Sequence, residues 1–214
     1  LGQDRKDTGM LLKTFLETFK NKLKQPSLIL KTSGASPSIL DREDILTKVN
    51  QIKDTVDGKL PNIYVLHGDL SDEEMNGLYN HPKVKAHVSF THGEGFGRPL
   101  LEASLSEKLI IAPNWSGHID FLNDKDAILL PGGLNDVKKE SLPNNMHVKD
   151  TQWFTVNYNY ASKTLKEVYD NYSKYTIKAK RLAIKNQTKF SLDAMTKKFE
   201  EILDKYLPKF EEQP

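Results

Sequence analysis

Apolar residues Leu12, Phe15, Leu16, Phe19 and Leu23 recur at helical spacing with Lys and Glu between them, so residues 10–23 are predicted to form an amphipathic helix. The short run Leu28-Ile29-Leu30 then predicts a strand over 27–31, followed by a turn-rich loop over 32–37. Asp41 is placed to cap a second helix whose Ile45, Val49, Ile52 and Val56 share one side, and Asp57-Gly58-Lys59-Leu60-Pro61 stops it. Residues 63–66 repeat the strand pattern, and Ser71 with Glu74 has the spacing of a capping box. Three more strand-like runs follow at 86–90, 109–112 and 127–130, with a helix expected from Pro99 to Lys108 and a shorter segment over 119–123. Short strands alternating with helices predict an α/β fold, a Rossmann-like parallel sheet with helices on both faces, because each parallel crossover needs a helix to return the chain. Beyond Leu130 the composition shifts to Lys, Tyr and Asn, and Met195, Phe199, Ile202 and Tyr206 have helical spacing. A helical C-terminal part over about 155–208, packed on a sheet core over about 1–130, is therefore expected within one domain spanning 1–214, with 136–151 as a loop between them.

Composition narrows the classes. With 37% hydrophobic and 28% charged residues the chain can bury a core, and its net charge of +2 argues against a general nucleic-acid or membrane surface. The absence of cysteine excludes disulfides, thiolate metal sites and cysteine nucleophiles. No apolar run approaches the roughly 20 residues of a transmembrane segment. A soluble cytoplasmic protein is expected, and because the sequence opens on Leu1 it reads as a piece of a longer polypeptide.

In a doubly wound sheet, ligands bind beyond the carboxyl ends of the strands. The loop after Phe90 is Thr91-His92-Gly93-Glu94-Gly95-Phe96-Gly97-Arg98-Pro99. Its glycines let backbone approach a ligand closely, Pro99 suits the first helical position, and free N–H groups at the helix start can receive a phosphate. Glu94 and Glu102 are positioned to face one cleft, where carboxylates accept hydrogen bonds from vicinal hydroxyls. Ser33-Gly34 and Gly68-Asp69, each ending a strand, suit a nucleotide pocket as well as plain turns. His92 fits either a donor contact or polar lining, and Trp115 either a sugar wall or a core aromatic. The six histidines are scattered without metal-ligand spacing, so no metal site and no cofactor is expected.

The string Glu94-Gly95-Phe96-Gly97-Arg98-Pro99-Leu100-Leu101-Glu102-Ala103 resembles the E-x7-E signature of retaining GT-B glycosyltransferases of the "glycosyl transferases group 1" type. Ser71-Asp72-Glu73-Glu74-Met75 with Leu78-Tyr79, the strand from Leu109 to Ala112, and Ser116-Gly117-His118-Ile119-Asp120 are similar to flanking elements of that family, with Asp120 where glutamate is common. Residues 6–15 resemble its segment carrying the phosphate-binding lysine, which falls on Lys6. Where the family has its arginine this chain has Gly2-Gln3, so Arg5 either stands in for it or the contact is missing.

The resemblance implies one half of a GT-B fold, the nucleotide-sugar-binding half, with an acceptor-binding domain and the first sheet strand preceding Gly2 and something covering that strand's place. It implies that Arg5 and Lys6 clamp a nucleoside diphosphate, that Glu94 with Gly95, Phe96 and Gly97 holds the sugar, and that Glu102 binds the ribose. Arg98, Gly34, Gly68, Ser116 and Gly117 would complete the donor site. The activity implied is retaining transfer of a hexosyl group from a nucleoside-diphosphate sugar, without metal, to a glycan, lipid or protein acceptor held by the preceding domain, as part of glycan biosynthesis. A nucleotide-sugar epimerase, a phosphorylase, a glycoside hydrolase and a non-catalytic nucleotide-sugar-binding module are the competing readings.

Overall fold

The computed structural model describes residues 4–32, 38–137, 141 and 150–208. Helix α1 (Thr8–Phe19) buries Leu11, Leu12, Phe15, Leu16 and Phe19 as its spacing requires. It stops at Phe19, earlier than the pattern suggests, and Leu23 lies beyond it, exposed. Strand β1 (Leu28–Thr32), helix α2 (Ile39–Lys53) and strand β2 (Ile63–His67) follow. Ser38, not Asp41, caps α2, its hydroxyl accepting from the Asp41 N–H at 3.1 Å. The Asp41 carboxylate pairs instead with His67 Nε2 at 2.5 Å, tying α2 to the end of β2.

Helix α3 (Asp72–Asn80) begins with the expected Ser71–Glu74 capping box. Strand β3 (Ala86–Val88) leads through the glycine loop into α4 (Arg98–Leu105), in which Gly97 is the cap and Pro99 the second helical residue rather than the first. Strand β4 (Leu109–Pro113) is buried along its whole length, the signature of a central parallel strand covered on both faces. A single 3-10 turn (Gly117–Asp120) precedes β5 (Ile128–Leu130). Helices α5 (Tyr158–Asp170), α6 (Ser173–Lys189) and α7 (Leu192–Tyr206) complete the described chain.

The pairings are parallel, as the alternation demands, but the sheet is in two pieces, β1 with β2 and β3-β4-β5. Leu28 N–H donates to Asn62 C=O and Thr32 C=O accepts from Gly68 N–H, so alternate residues of β1 face β2 and the backbones of Ile29 and Lys31 face the other way. Ser89 N–H donates to Ile111 C=O, and Lys85 C=O accepts from Leu109 N–H, which leaves Ala86 and Val88 facing away from β4. Among the described residues no strand pairing joins β1 to β3. The two pieces nevertheless share one core, in which Leu28, Ile63, Ala86 and Val88 pack against Phe15, Phe90 and Leu165.

Two expectations are corrected. An antiparallel pair, β6 (Gly132–Asp136) with β7 (Gln152–Val156), follows the parallel strands, Gly132 opposite Val156. Strand β6 is exposed throughout, so no buried face imprints an alternating pattern on Gly-Gly-Leu-Asn-Asp. Helix α6 packs on α4 and β4, with Leu182 in one core cluster with Leu100, Ala103 and Ile110. Helix α7 buries none of its residues, and Met195, Phe199, Ile202 and Tyr206 remain exposed rather than packing on the sheet. Most of the loop expected over 136–151 lies outside the described residues.

Candidate functional site

The loop after β3 is anchored at its root. Phe90 and Thr91 are fully buried, and the Thr91 hydroxyl hydrogen-bonds to the carbonyls of Arg5, at 3.2 Å, and Gly93, at 3.0 Å. His92 N–H donates to Arg5 C=O at 2.8 Å. The turn just ahead of α1 is thereby docked onto the loop after β3, although 86 positions separate Arg5 from Thr91.

That docking brings the two cations onto one carboxylate. Lys6 Nζ lies 2.5 Å from Glu94 Oε1, and Arg5 Nη1 lies 3.1 Å from Glu94 Oε2 while also donating to Gly93 C=O. Burial pushes the Glu94 carboxyl up, but Lys6 and Arg5 together outweigh it and hold the group below the usual range. Glu94 is thus an anion held between two cations.

A second loop, after β4, supports this elbow from the opposite side. Glu94 N–H donates to Ser116 Oγ at 3.0 Å, Ser116 Oγ donates to Glu94 C=O at 2.6 Å, and Gly117 N–H donates to the same carbonyl at 3.0 Å. A Cβ at Gly117 would stand 1.9 Å from Gly95 C=O, so only glycine fits. Gly97 has φ 88°, and a Cβ there would press on His118 at 3.1 Å. His118 is fully buried and donates from Nε2 to Pro113 C=O at 2.7 Å, and burial lowers its pKa.

Arg5, His92, Gly93, Glu94, Gly95, Ser116 and Trp153 line a cavity of about 380 Å³. Of the residues singled out from the sequence, Arg5, His92, Glu94, Gly95 and Ser116 meet there directly, with Lys6 bound to Glu94 and Gly117 to its backbone. Glu102 and Arg98 are outside this lining. Arg98 Nε donates to Glu102 Oε1 at 2.9 Å across one helical turn. Glu102 also bonds the Tyr79 hydroxyl, whose pKa burial and that carboxylate push up to about 12. Phe96 packs on Phe121 and Phe190, with ring centroids 5.3 Å and 6.1 Å away, outside the lining too. Gly68 ends β2 with φ 98° and accepts from Lys31 Nζ, away from the cavity. Gly34 lies outside the described residues. Among the described residues no group of three His, Asp or Glu could hold a metal ion, and no helix is long and apolar enough to cross a membrane.

Two elements of the site carry no sequence signal. Trp153, on β7, stacks on the His92 ring at 4.7 Å and 18°, and His92 Nδ1 donates to Phe154 C=O at 2.7 Å. Trp115 lies parallel to the Phe154 ring at 5.6 Å, so the antiparallel pair gives the site an aromatic wall. Asp7, next to Lys6, is 1% exposed and accepts a 2.6 Å hydrogen bond from Tyr158. A Trp or Asp acquires such a role only from a partner distant in sequence.

No protein-family model and no curated protein sequence matches the chain. Solved structures do match. HepE from Anabaena, in complex with UDP and glucose, superposes with TM-score 0.65 at 13% identity, covering 94% of this chain and 45% of HepE. The C-terminal domain of LpcC, a glycosyl transferase group 1 family protein from Francisella tularensis, matches with TM-score 0.58 at 17% identity over 88% of this chain and 81% of that domain. The pneumococcal O-GlcNAc transferase GtfA, in complex with UDP and GlcNAc, matches with TM-score 0.58 at 20% identity over 93% of this chain and 34% of GtfA. The chain therefore has the Rossmann-like α/β fold of the GT-B-type glycosyltransferases. It spans less than half the length of HepE and matches LpcC over an isolated C-terminal domain.

Proposed function

We propose that the chain is the donor-binding half of a retaining glycosyltransferase that moves a hexosyl group from a nucleoside-diphosphate sugar to a glycan, lipid or protein acceptor. The observation that carries this reading is the convergence of Arg5 and Lys6 on Glu94 at a glycine elbow that lines a cavity. Two cations beside a glycine elbow suit a diphosphate, and they would stabilise the charge that grows on it as the sugar departs, without a metal ion or other cofactor. In this reading the diphosphate competes with Glu94 for Arg5 and Lys6, which frees the Glu94 carboxylate to accept sugar hydroxyls and orient the ring. Gly95 and Gly97 supply close backbone, Ser116 and Gly117 hold the elbow, and Glu102 binds the ribose after exchanging its contact with Arg98. The leaving phosphate takes the acceptor proton on the face it departs from, so the anomeric configuration is kept. An acceptor domain preceding this chain and a cytoplasmic location belong to the same reading, and the absence of cysteine is compatible with the latter.

A glycoside hydrolase needs a carboxyl kept protonated near neutral pH as its general acid, whereas Lys6 and Arg5 hold Glu94 ionised. The test is thermal-shift binding of UDP, GDP and ADP with and without magnesium. One nucleotide is expected to stabilise the protein equally in both conditions, and Glu102→Ala is expected to abolish the shift. No response to any of the three would refute the reading.

A further inference from the structure

Asp7 is buried to 1% exposure immediately after Lys6 and immediately before α1. One carboxylate oxygen accepts from Tyr158, while the other, Oδ1, has no hydrogen-bond partner among the described residues. The backbone is left-handed, φ 49°, and its N–H donates to Asp4 C=O at 3.0 Å, closing the turn that presents Arg5 and Lys6. An unpaired buried carboxylate oxygen and a left-handed non-glycine residue both cost stability, and glycine would avoid both costs. A carboxyl is held instead next to Lys6, in the turn that brings Arg5 to the cavity.

We propose that Asp7 is a positioning residue for the donor's diphosphate: it holds the Arg5–Lys6 turn against the cavity, and it takes up a proton on its unpaired oxygen when the diphosphate binds. This rests on the reading of the cavity as a nucleotide-sugar site. The arriving negative charge makes an ionised carboxylate in the same turn as Arg5 and Lys6 more costly, and the neutral acid relieves that cost. The groups facing Asp7 are Tyr158 from α5, His92 from the loop after β3 and Asp4 from its own turn. Burial pushes the Asp7 carboxyl up to about 6, against the Tyr158 hydrogen bond and His92, which pull it down, and with Asp4, which adds to it. Burial and Asp7 itself push the Tyr158 hydroxyl far above its ordinary value, so Tyr158 keeps its proton and remains the donor. The proton taken up therefore comes from solvent, and none leaves Tyr158 or the donor.

The test is calorimetric titration of the protein with UDP-glucose in pairs of buffers that differ in ionisation heat, from about pH 5 to about pH 8. UDP-glucose is chosen because UDP carries a terminal phosphate that itself titrates near about 6. The wild type should take up a fraction of a proton per site, and its affinity should rise by up to about tenfold as pH falls across the range. Asp7→Asn should bind with no uptake and a flat profile. Tyr158→Phe removes a bond that favours the ionised form, so it should keep the uptake and move it to higher pH. Binding without uptake in the wild type, or uptake that persists in Asp7→Asn, overturns the proposal and leaves the donor-site reading standing. If Asp7→Asn fails to fold, the Tyr158→Phe profile decides: an unmoved profile overturns the proposal. Absence of binding by UDP-, GDP- and ADP-glucose alike overturns the donor-site reading, and the proposal falls with it.

Discussion

Lys6 Nζ and Glu94 Oε1 meet at 2.5 Å across 88 positions of sequence, one from the turn ahead of α1 and the other from the glycine elbow after β3. Arg5 shares the same carboxylate, so a single anion joins the chain's first described turn to its third strand. The Lys6 and Arg5 ends are about half exposed, which limits what the pairs add to folding and leaves the cations accessible to a ligand.

Lys6→Ala should therefore change stability little while weakening nucleotide-sugar binding by roughly tenfold to a hundredfold, the worth of a charged hydrogen bond. Calorimetric affinity beside a thermal melt checks this. A large drop in melting temperature with unchanged affinity would assign the pair to folding instead.

Gly117→Ala should destabilise the fold by about 2 kcal/mol or more, because its Cβ would have to displace the Gly95 carbonyl 1.9 Å away. Urea denaturation measures it, and Gly133→Ala is the control, since a Cβ there meets nothing within 4 Å. Equal midpoints for the two variants would show that the elbow yields.

Asp7→Asn should be more stable than the wild type at pH 7 by up to about 3 kcal/mol, and no more stable at about pH 4. The sign follows from the carboxyl being raised from 3.8 to about 6. Between those values the folded state binds more protons than the unfolded one, so the wild type loses stability as pH rises through that window. Asparagine tolerates the left-handed backbone and does not ionise. Denaturation at the two pH values decides it; a variant less stable at both would show that the carboxylate holds the fold together.

Trp153→Ala should remove the stack on His92 at a cost of about 1 kcal/mol and open one wall of the cavity. Nucleotide-sugar affinity should fall while helix content, read by circular dichroism, stays the same. Unchanged affinity would move the sugar away from that wall.

Hydrophobic patterning is a local property, and where burial on one face or on both imposes it, it was readable. Leu12, Phe15, Leu16 and Phe19 announced α1, the capping box announced α3, and the apolar run Leu109-Ile110-Ile111-Ala112 announced the buried central strand β4. Where burial writes no period, nothing could be read, as in the exposed strand β6; α7 is the converse, its apolar stripe announcing the helix but also a packing that the described fold does not contain.

The same division runs through the site. Glycine at 93, 95 and 97, flanked by Glu94 and Arg98, marked the elbow from residue type and spacing alone, since tight backbone geometry is written in adjacent residues. Arg5 beneath Gly93, Trp153 against His92, Tyr158 on Asp7 and the turn of Glu102 towards Arg98 and Tyr79 all depend on which surfaces the folded chain presses together. Contacts spanning 88 or 151 positions leave no periodic trace, because their free energy is realised only when both partners have already been placed by the core.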